Sequence, residues 1–144
     1  MKTISIREMK ISDIPTLVAW GNSAPELWTS EKSKWYSREG LTKWIQHRDN
    51  DILLVADDGG TLAGMCFTRY MIEWYYCDTL YIDPAYQKQG VGRKLLDETV
   101  RRVKLTGVKS IALDVNSFNA KVVGFYKKIG FEEAFHAIWM EKRL

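Results

Sequence analysis

The chain has little of several features that mark particular protein classes. Only two cysteines, Cys66 and Cys77, occur among its 144 residues, and both lie in apolar, strand-like runs. Two cysteines cannot form a disulfide framework, so buried thiols in a reducing compartment are expected. No apolar run approaches the ~20 residues of a membrane span, and the opening residues MKTISIREMK contain no apolar signal core. These absences predict a cytoplasmic protein with no membrane segment.

An excess of charge of one sign is also lacking. The 21 basic and 18 acidic side chains give a net charge of +3, which is too balanced to indicate a nucleic-acid-binding protein. Neither His47 nor His136 has a metal-ligating partner at a suitable spacing, so no metal site is expected. The pattern Gly-x-x-x-x-Gly-Lys-Ser/Thr does not occur, which excludes a Walker-type phosphate loop.

The residues that are present favour one globular domain. With a hydrophobic fraction of 46% and six tryptophans, the chain is long enough to bury a core without disulfides or metals. No repeat, linker or low-complexity segment divides it. We therefore expect residues 1–144 to form a single domain.

Hydrophobic periodicity predicts the order β-α-α-β-β-β-α-β-α-β, a mixed sheet with helices on both faces. Helices are expected after Ser12-Asp13, ending at Gly21-Asn22-Ser23, then at about 37–48, after Gly92 and after Asn119. Strands are expected at 3–7, 51–56, 61–70, 74–82 and 110–115, with a strand-like tail at 131–144.

The most informative stretch is residues 80–94, LYIDPAYQKQGVGRK, in which a strand end leads through a polar loop to Gly90 and Gly92. Because the first turn of a helix has unpaired N–H groups and a positive dipole end, the helix that follows is suited to bind a phosphate or pyrophosphate. Glycines let the backbone approach such an anion closely. Donors and positive charge surround the loop, on Gln87, Lys88, Arg93 and Lys94.

Two motifs resemble those of the GNAT superfamily of acyl-CoA-dependent N-acetyltransferases. Its phosphate-loop pattern, Arg/Gln-x-x-Gly-x-Gly/Ala after a strand, is matched by Gln87-Lys88-Gln89-Gly90-Val91-Gly92. Its second pattern, an Asn seven residues before a Tyr followed by x-Lys-x-Gly-Phe, is matched by Asn119, Tyr126, Lys128, Gly130 and Phe131. The resemblance covers residue 74 to the C-terminus, and the first seventy residues only in the order of elements.

The resemblance implies a GNAT fold, with a mostly antiparallel sheet of about six to seven strands splayed between the fourth and fifth. It also implies acetyl-CoA as the acyl donor, with its pyrophosphate on the glycine loop. The pantetheine arm would then run along the backbone of Leu80, Tyr81 and Ile82. The implied donor-binding residues are these three with Gln87, Lys88, Gln89, Gly90, Val91, Gly92, Arg93, Lys94, Asn119, Tyr126 and Lys128.

The same resemblance implies direct attack of a primary amine on the thioester. Tyr126 stands where the family places the acid that protonates the leaving thiolate, although its alternative is a core aromatic on an apolar helix face. Asp78 is the first candidate for the base, with Glu73 and Glu31 behind it. Asp78 occupies the strand position where many relatives carry Glu, so an ordinary strand carboxylate is an equal alternative.

Several large rings are candidates for the acceptor side: Trp28, Trp35, Tyr36, Trp74 and Tyr76. They could bind an amine-bearing small molecule or peptide by stacking or cation–π contact, or they could simply be core. A homodimer would suit exposed aromatics, as in many members of the family.

Two other functions compete with an acetyltransferase. A dinucleotide-binding half-domain would use Gly90-x-Gly92 and Asp114, but the third glycine position is Leu95 and no second half is present. The other is a non-catalytic acyl-CoA sensor or interaction module on the same fold, against which the presence of Tyr126 and Asp78 argues.

Overall fold

A computed structural model of the chain describes residues 3–33 and 35–144. Those ranges contain five strands and four α-helices: β1 (Ser5–Glu8), α1 (Ile14–Ser23), α2 (Arg38–Gln46), β2 (Ile52–Asp58), β3 (Thr61–Tyr70), β4 (Tyr75–Ile82), α3 (Val91–Leu105), β5 (Ile111–Leu113) and α4 (Ala120–Lys128). Short 3₁₀ turns lie at Ile11–Asp13, Pro25–Leu27 and Pro84–Tyr86. The chain divides into two compact units, Met1–Leu113 and Asp114–Leu144, which are described separately.

The sheet of the first unit follows chain order, β1-β2-β3-β4-β5. The pairs β1/β2, β2/β3 and β3/β4 are antiparallel, whereas β4 and β5 are parallel. β5 pairs only with Tyr75, Tyr76 and Cys77 at the start of β4, and the two strands then separate. The predicted α/β fold and its splay between the fourth and fifth strands are confirmed, with five strands instead of six to seven.

Helices cover both faces of the sheet, as predicted. On one face, Met65 and Phe67 of β3 belong to a buried cluster with Leu17 of α1 and Leu41 of α2. On the other face, the hydroxyl of Thr99 in α3 lies 3.6 Å from Cys66 Sγ. The alternation of side chains along β3 therefore divides the core into an α1/α2 side and an α3 side.

As predicted, α1 ends within Gly21-Asn22-Ser23, with Ser23 as its last residue. Gly21 has a packing role, since a Cβ there would lie 1.4 Å from Cδ1 of Trp35. Its carbonyl also accepts a hydrogen bond of 2.7 Å from Trp28 Nε1. Gly21 thus gives two tryptophans of the following irregular segment a place against α1.

The prediction of a strand at 131–144 is wrong. In the second unit the chain forms no strand after α4, and large apolar side chains of this tail are exposed, among them Phe135 (96%) and Ile138 (87%). A strand is completed only by a partner that accepts and donates its backbone hydrogen bonds. The apolar and aromatic composition of the tail resembles a strand, but composition carries no information about such a partner.

Candidate active site

The lead-in to the glycine loop is fixed by one carboxylate, Asp83. Its Oδ1 accepts from the backbone N–H of Ala85 at 2.9 Å, which caps the 3₁₀ turn after β4. Its Oδ2 accepts from the indole Nε1 of Trp20 at 2.9 Å. The end of β4 is therefore tied to α1, and the loop begins from a defined position.

The loop itself turns through left-handed backbone at Lys88 (φ +62°) and Gly90 (φ +80°). The side-chain amides of Gln87 and Gln89 donate to the carbonyls of Ile82 and Ala85, both at 3.2 Å. Both glutamines thus stabilise the loop, and each amide nitrogen has a second hydrogen to donate.

Gly90 is the N-cap residue of α3, and no side chain caps the helix there. The first helical hydrogen bond runs from Lys94 N to Gly90 O at 3.1 Å, so the N–H groups of Val91, Gly92 and Arg93 have no acceptor within the helix. Space for a Cβ at Gly90 is open. These donors, with the positive end of a 15-residue helix, make a site suited to a phosphate group.

The backbone of β4 directly before this loop has one unpaired side. Residues 79–82 pair with β3 but have no partner on the β5 side among the described residues. Unpaired N–H and C=O groups of a strand can bind an extended amide-bearing ligand as an added strand. The geometry thus joins a strand-like binding edge to an anion site at its end.

A β-bulge at Asp78 lies in the pairing of β4 with β3, on the side of β4 opposite its unpaired backbone. Phe67 pairs with Thr79 and Thr68 pairs with Cys77, so Asp78 is an extra residue without a partner on β3. An extra residue re-aims the local side chains. Here the carboxylate of Asp78 reaches the irregular segment that precedes α2.

Asp78 is part of a compact polar network on the α1/α2 side. Its Oδ2 accepts from Arg69 Nε at 2.5 Å and from the Tyr36 hydroxyl at 2.8 Å, and its Oδ1 accepts from Thr79 Oγ1 at 2.9 Å. Arg69 also donates from Nη2 to the Tyr36 oxygen at 2.6 Å. Burial, then the negative charge of Asp78, raises the pKa of Tyr36 far above its usual range, which keeps the phenol protonated.

The guanidinium of Arg69 lies over two rings, 4.1 Å from the ring centroid of Trp44 and 5.8 Å from that of Tyr36. An internal cation therefore occupies the cation–π position that the sequence suggested for a ligand amine. Sequence reasoning missed Arg69. The signal was available in the sequence. Counting residues outward from the turn between β3 and β4 pairs Arg69, the single charged residue of an apolar strand, with Tyr76.

The aromatic residues assigned to the acceptor side fall into two groups. Trp28 and Trp35 pack against α1 at Gly21, and Trp35 also contacts Tyr36 with 4.7 Å between ring centroids. Trp74 and Tyr76 contact each other at the start of β4, with centroids 6.2 Å apart. Of the predicted set, the structure brings Tyr36 to Asp78, while Trp28 and Trp35 position the segment that carries Tyr36.

The other two carboxylates considered as bases, Glu31 and Glu73, are exposed.

The described residues hold no group of three or more His, Cys, Asp or Glu side chains placed to bind a metal ion. No helix in the described ranges is long and apolar enough to cross a membrane.

The remaining predicted site residues lie in the second unit. Asn119 caps α4, as predicted, by accepting from the N–H of Val122 at 3.2 Å. Tyr126 is half-buried, with its ring centroid 5.2 Å from that of Phe125 and 5.5 Å from that of Phe131. Lys128 is the last residue of α4 and is exposed.

The sequence matches the family model described as the Acetyltransferase (GNAT) family over residues 17–131. The chain belongs to the GNAT family. Among relatives of this GNAT protein, the ribosomal protein bS18-alanine N-acetyltransferase of Escherichia coli is 32% identical over 75 residues, about half of each chain (52% and 51%). The Salmonella typhimurium enzyme of the same name is 28% identical, over 93% of this chain and 83% of its own.

Solved structures agree with this assignment at the level of the fold. A transcriptional regulator from Bacillus halodurans superposes with a TM-score of 0.82 at 21% identity, covering 97% of this GNAT chain and all (100%) of the other. The paia N-acetyltransferase of Thermoplasma acidophilum, solved with coenzyme A, superposes with a TM-score of 0.71 at 26% identity, covering 90% of both chains.

Proposed function

We propose that this GNAT protein transfers an acetyl group from acetyl-CoA to a primary amine by direct attack in a ternary complex. One observation carries the proposal: the open N-terminus of α3 directly follows the unpaired side of β4. An anion site and an amide-binding edge in this order fit the pyrophosphate and the pantetheine arm of coenzyme A.

In the proposed complex, the N–H groups of Val91, Gly92 and Arg93 bind the pyrophosphate. Lys88 and Lys94 add positive charge, and the backbone of residues 80–82 binds the pantetheine amides. A backbone N–H of the same strand faces the thioester oxygen and stabilises the negative charge that develops on it during attack. The remaining donor-binding candidates stay predictions: Gln87, Gln89, Asn119, Tyr126 and Lys128.

The acetyl transfer itself forms a bond from the amine nitrogen to the thioester carbon and breaks the carbon–sulfur bond. The amine must lose a proton, because an alkylamine with a pKa near ~10.4 is mostly protonated at neutral pH. We assign that proton to Asp78, whose Oδ1 accepts a hydrogen bond from Thr79 and has the capacity to accept a second. The sequence motif alone supports Tyr126 as the acid that protonates the departing thiolate.

The acceptor class is a primary amine. Relatives are named for different amines, including the alanine of a ribosomal protein and, in the Thermoplasma acidophilum spermidine N(1)-acetyltransferase, a polyamine. A primary amino group is what these acceptors have in common. In this proposal the Tyr36–Arg69–Asp78 network supplies the acceptor side. Tyr76 of β4 pairs with Arg69, and Trp74, directly before β4, contacts Tyr76.

A non-catalytic acyl-CoA sensor is the second candidate, favoured by one observation. Arg69, Tyr36 and Thr79 already donate to Asp78, so the carboxylate must exchange or add a donor before it can serve an amine. Acetyl-CoA binding without thiol release across a panel of peptide, polyamine and aminoglycoside amines would support the sensor.

The test of donor binding is calorimetric titration of acetyl-CoA into Gly90→Asp, with Gly107→Asp as the control. Both glycines flank α3 with similar left-handed backbone, at φ +80° and +83°, and both have open space for a Cβ. The two variants thus carry the same strain, but only Gly90→Asp places a negative charge at the anion site. We expect Gly90→Asp to abolish binding and Gly107→Asp to retain it.

Equal affinity of the folded Gly90→Asp variant and the wild-type chain would refute the assignment of the loop. NAD serves as the control ligand, and binding of NAD in place of acetyl-CoA would favour the dinucleotide-binding half-domain.

A further inference from the structure

The two cysteines of the chain lie side by side in the core and have no role in the proposed acetyl transfer, although Cys77 directly precedes Asp78. Cys66 of β3 is 0% exposed and Cys77 of β4 is 4% exposed, and their sulfur atoms are 3.7 Å apart. Their burial is what the apolar, strand-like runs around them predict. Thr68 pairs with Cys77, so the Cys77 side chain lies on the same face of the sheet as Thr68 and Cys66, and Cys66 points toward α3.

We propose that Cys66 and Cys77 are an oxidisable dithiol, a modification site that forms an intramolecular disulfide with hydrogen peroxide. A disulfide needs a sulfur–sulfur distance of about 2.05 Å, so the two atoms must approach by about 1.6 Å from their 3.7 Å separation. A rotation about χ1 combined with a small strand shift supplies such a movement. The bulge between the two positions makes β4 locally deformable.

The surroundings of the two thiols give them different roles. The hydroxyls of Thr99 and Thr68 lie 3.6 and 3.8 Å from Cys66 Sγ. Hydrogen bonds from Cys77, Thr99 and Thr68 lower the pKa of the Cys66 thiol, whereas the pairing with Cys66 and burial raise the pKa of Cys77. We assign Cys66, whose sulfur has three hydrogen-bonding neighbours in Thr99, Thr68 and Cys77, as the sulfur that attacks the oxidant, and Cys77 as the resolving thiol.

The reaction balances with hydrogen peroxide as the only co-reactant. The Cys66 thiolate attacks one peroxide oxygen and breaks the O–O bond, which leaves a sulfenic acid and releases hydroxide that takes up the Cys66 proton as water. The sulfur of Cys77 then attacks the Cys66 sulfur and displaces the second oxygen, which leaves as water with the Cys77 proton. Two thiols lose two hydrogen atoms, and one peroxide becomes two water molecules.

Mass spectrometry tests this proposal on the full chain. The reduced protein is treated with hydrogen peroxide under native conditions, the excess is removed, and the protein is then unfolded in iodoacetamide. Cleavage at Arg69 separates the two cysteines into different tryptic peptides, so the disulfide appears as a linked peptide pair. We expect this pair in a monomer that has lost two hydrogen atoms, takes up no iodoacetamide and recovers both thiols with dithiothreitol.

Cys77→Ser is the control, and in it peroxide should leave Cys66 unlinked. Three results would overturn the proposal in the wild-type chain. One is alkylation of both cysteines when the folded chain receives a dose of hydrogen peroxide that links them in the urea-unfolded chain. The others are disulfide-linked dimers in place of the internal link, and oxidation of Cys66 to the sulfinic acid without a link. Because the measurement uses no acyl donor, its outcome is independent of the proposed acetyl transfer.

Discussion

Replacement of Gly21 by alanine tests how α1 carries the aromatic segment that leads to Tyr36. The added Cβ would lie 1.4 Å from Cδ1 and 1.9 Å from Cγ of Trp35. Carbon atoms in contact are about 3.5–4 Å apart, so the indole ring must move by roughly 2 Å. That ring packs against Tyr36 and Phe67, with centroid distances of 4.7 and 5.4 Å.

The expected change in the free energy of unfolding of Gly21→Ala combines two destabilising effects and one stabilising effect. Forcing extra volume into a packed core costs about 1–3 kcal/mol. A disturbed aromatic pair costs about 0.5–1.5 kcal/mol more. Alanine in a helix interior is more stabilising than glycine by up to about 1 kcal/mol. We expect a net loss of about 2 kcal/mol, which for a chain of this size lowers Tm by about 8 °C.

The assay is urea denaturation and thermal unfolding of Gly21→Ala beside a matched control, Gly124→Ala. Gly124 also lies inside a helix, α4, but a Cβ there meets nothing within 4 Å. The control should therefore gain up to about 1 kcal/mol from helix propensity. If both variants shift the urea midpoint in the same direction, the packing of Trp35 against Gly21 is not what the structure implies.

Three further outcomes are expected. Tyr126→Phe should lower turnover by roughly 10²-fold with little change in acetyl-CoA affinity; an unchanged rate across pH would remove Tyr126 as the acid. Asp78→Asn should also lower turnover, and an unchanged turnover would assign the base elsewhere. Hydrogen bonds from Arg101 and Arg102 lower the pKa of Glu98 to about 2 from an ordinary 4.5. A depressed pKa stabilises the fold above about 4.5 and loses that contribution as the pH falls to about 2, so unfolding of Glu98→Gln should depend less on pH in this window than that of the wild type.

Local sequence patterns predicted much of the fold because they act over a few residues. The cap at Asn119 and the left-handed turn at Gly90 follow from side-chain and backbone preferences at single positions. Strands β2, β3 and β4 follow from runs of apolar and β-branched residues between turn signals. The glycine loop was identifiable for the same reason, since its anion site is built almost wholly from consecutive backbone N–H groups.

Other features depend on residues far apart in the chain and could not be predicted. The bulge at Asp78 is a property of the β3/β4 register, and periodicity alone gave no sign of it. Gly21 resembles a helix terminator, yet the indole of Trp35 makes it a packing position inside α1.

The family, the order of elements and the loop before α3 can be inferred from the amino-acid sequence, because two spaced motifs and short-range preferences suffice for these. The network of Arg69, Tyr36 and Asp78 and the contact of Cys66 with Cys77 became visible in the folded chain. Both juxtapositions come from the pairing of β3 with β4 around a single bulge. Strand register is fixed by the packing of both sheet faces at once, and no local stretch of sequence contains that information.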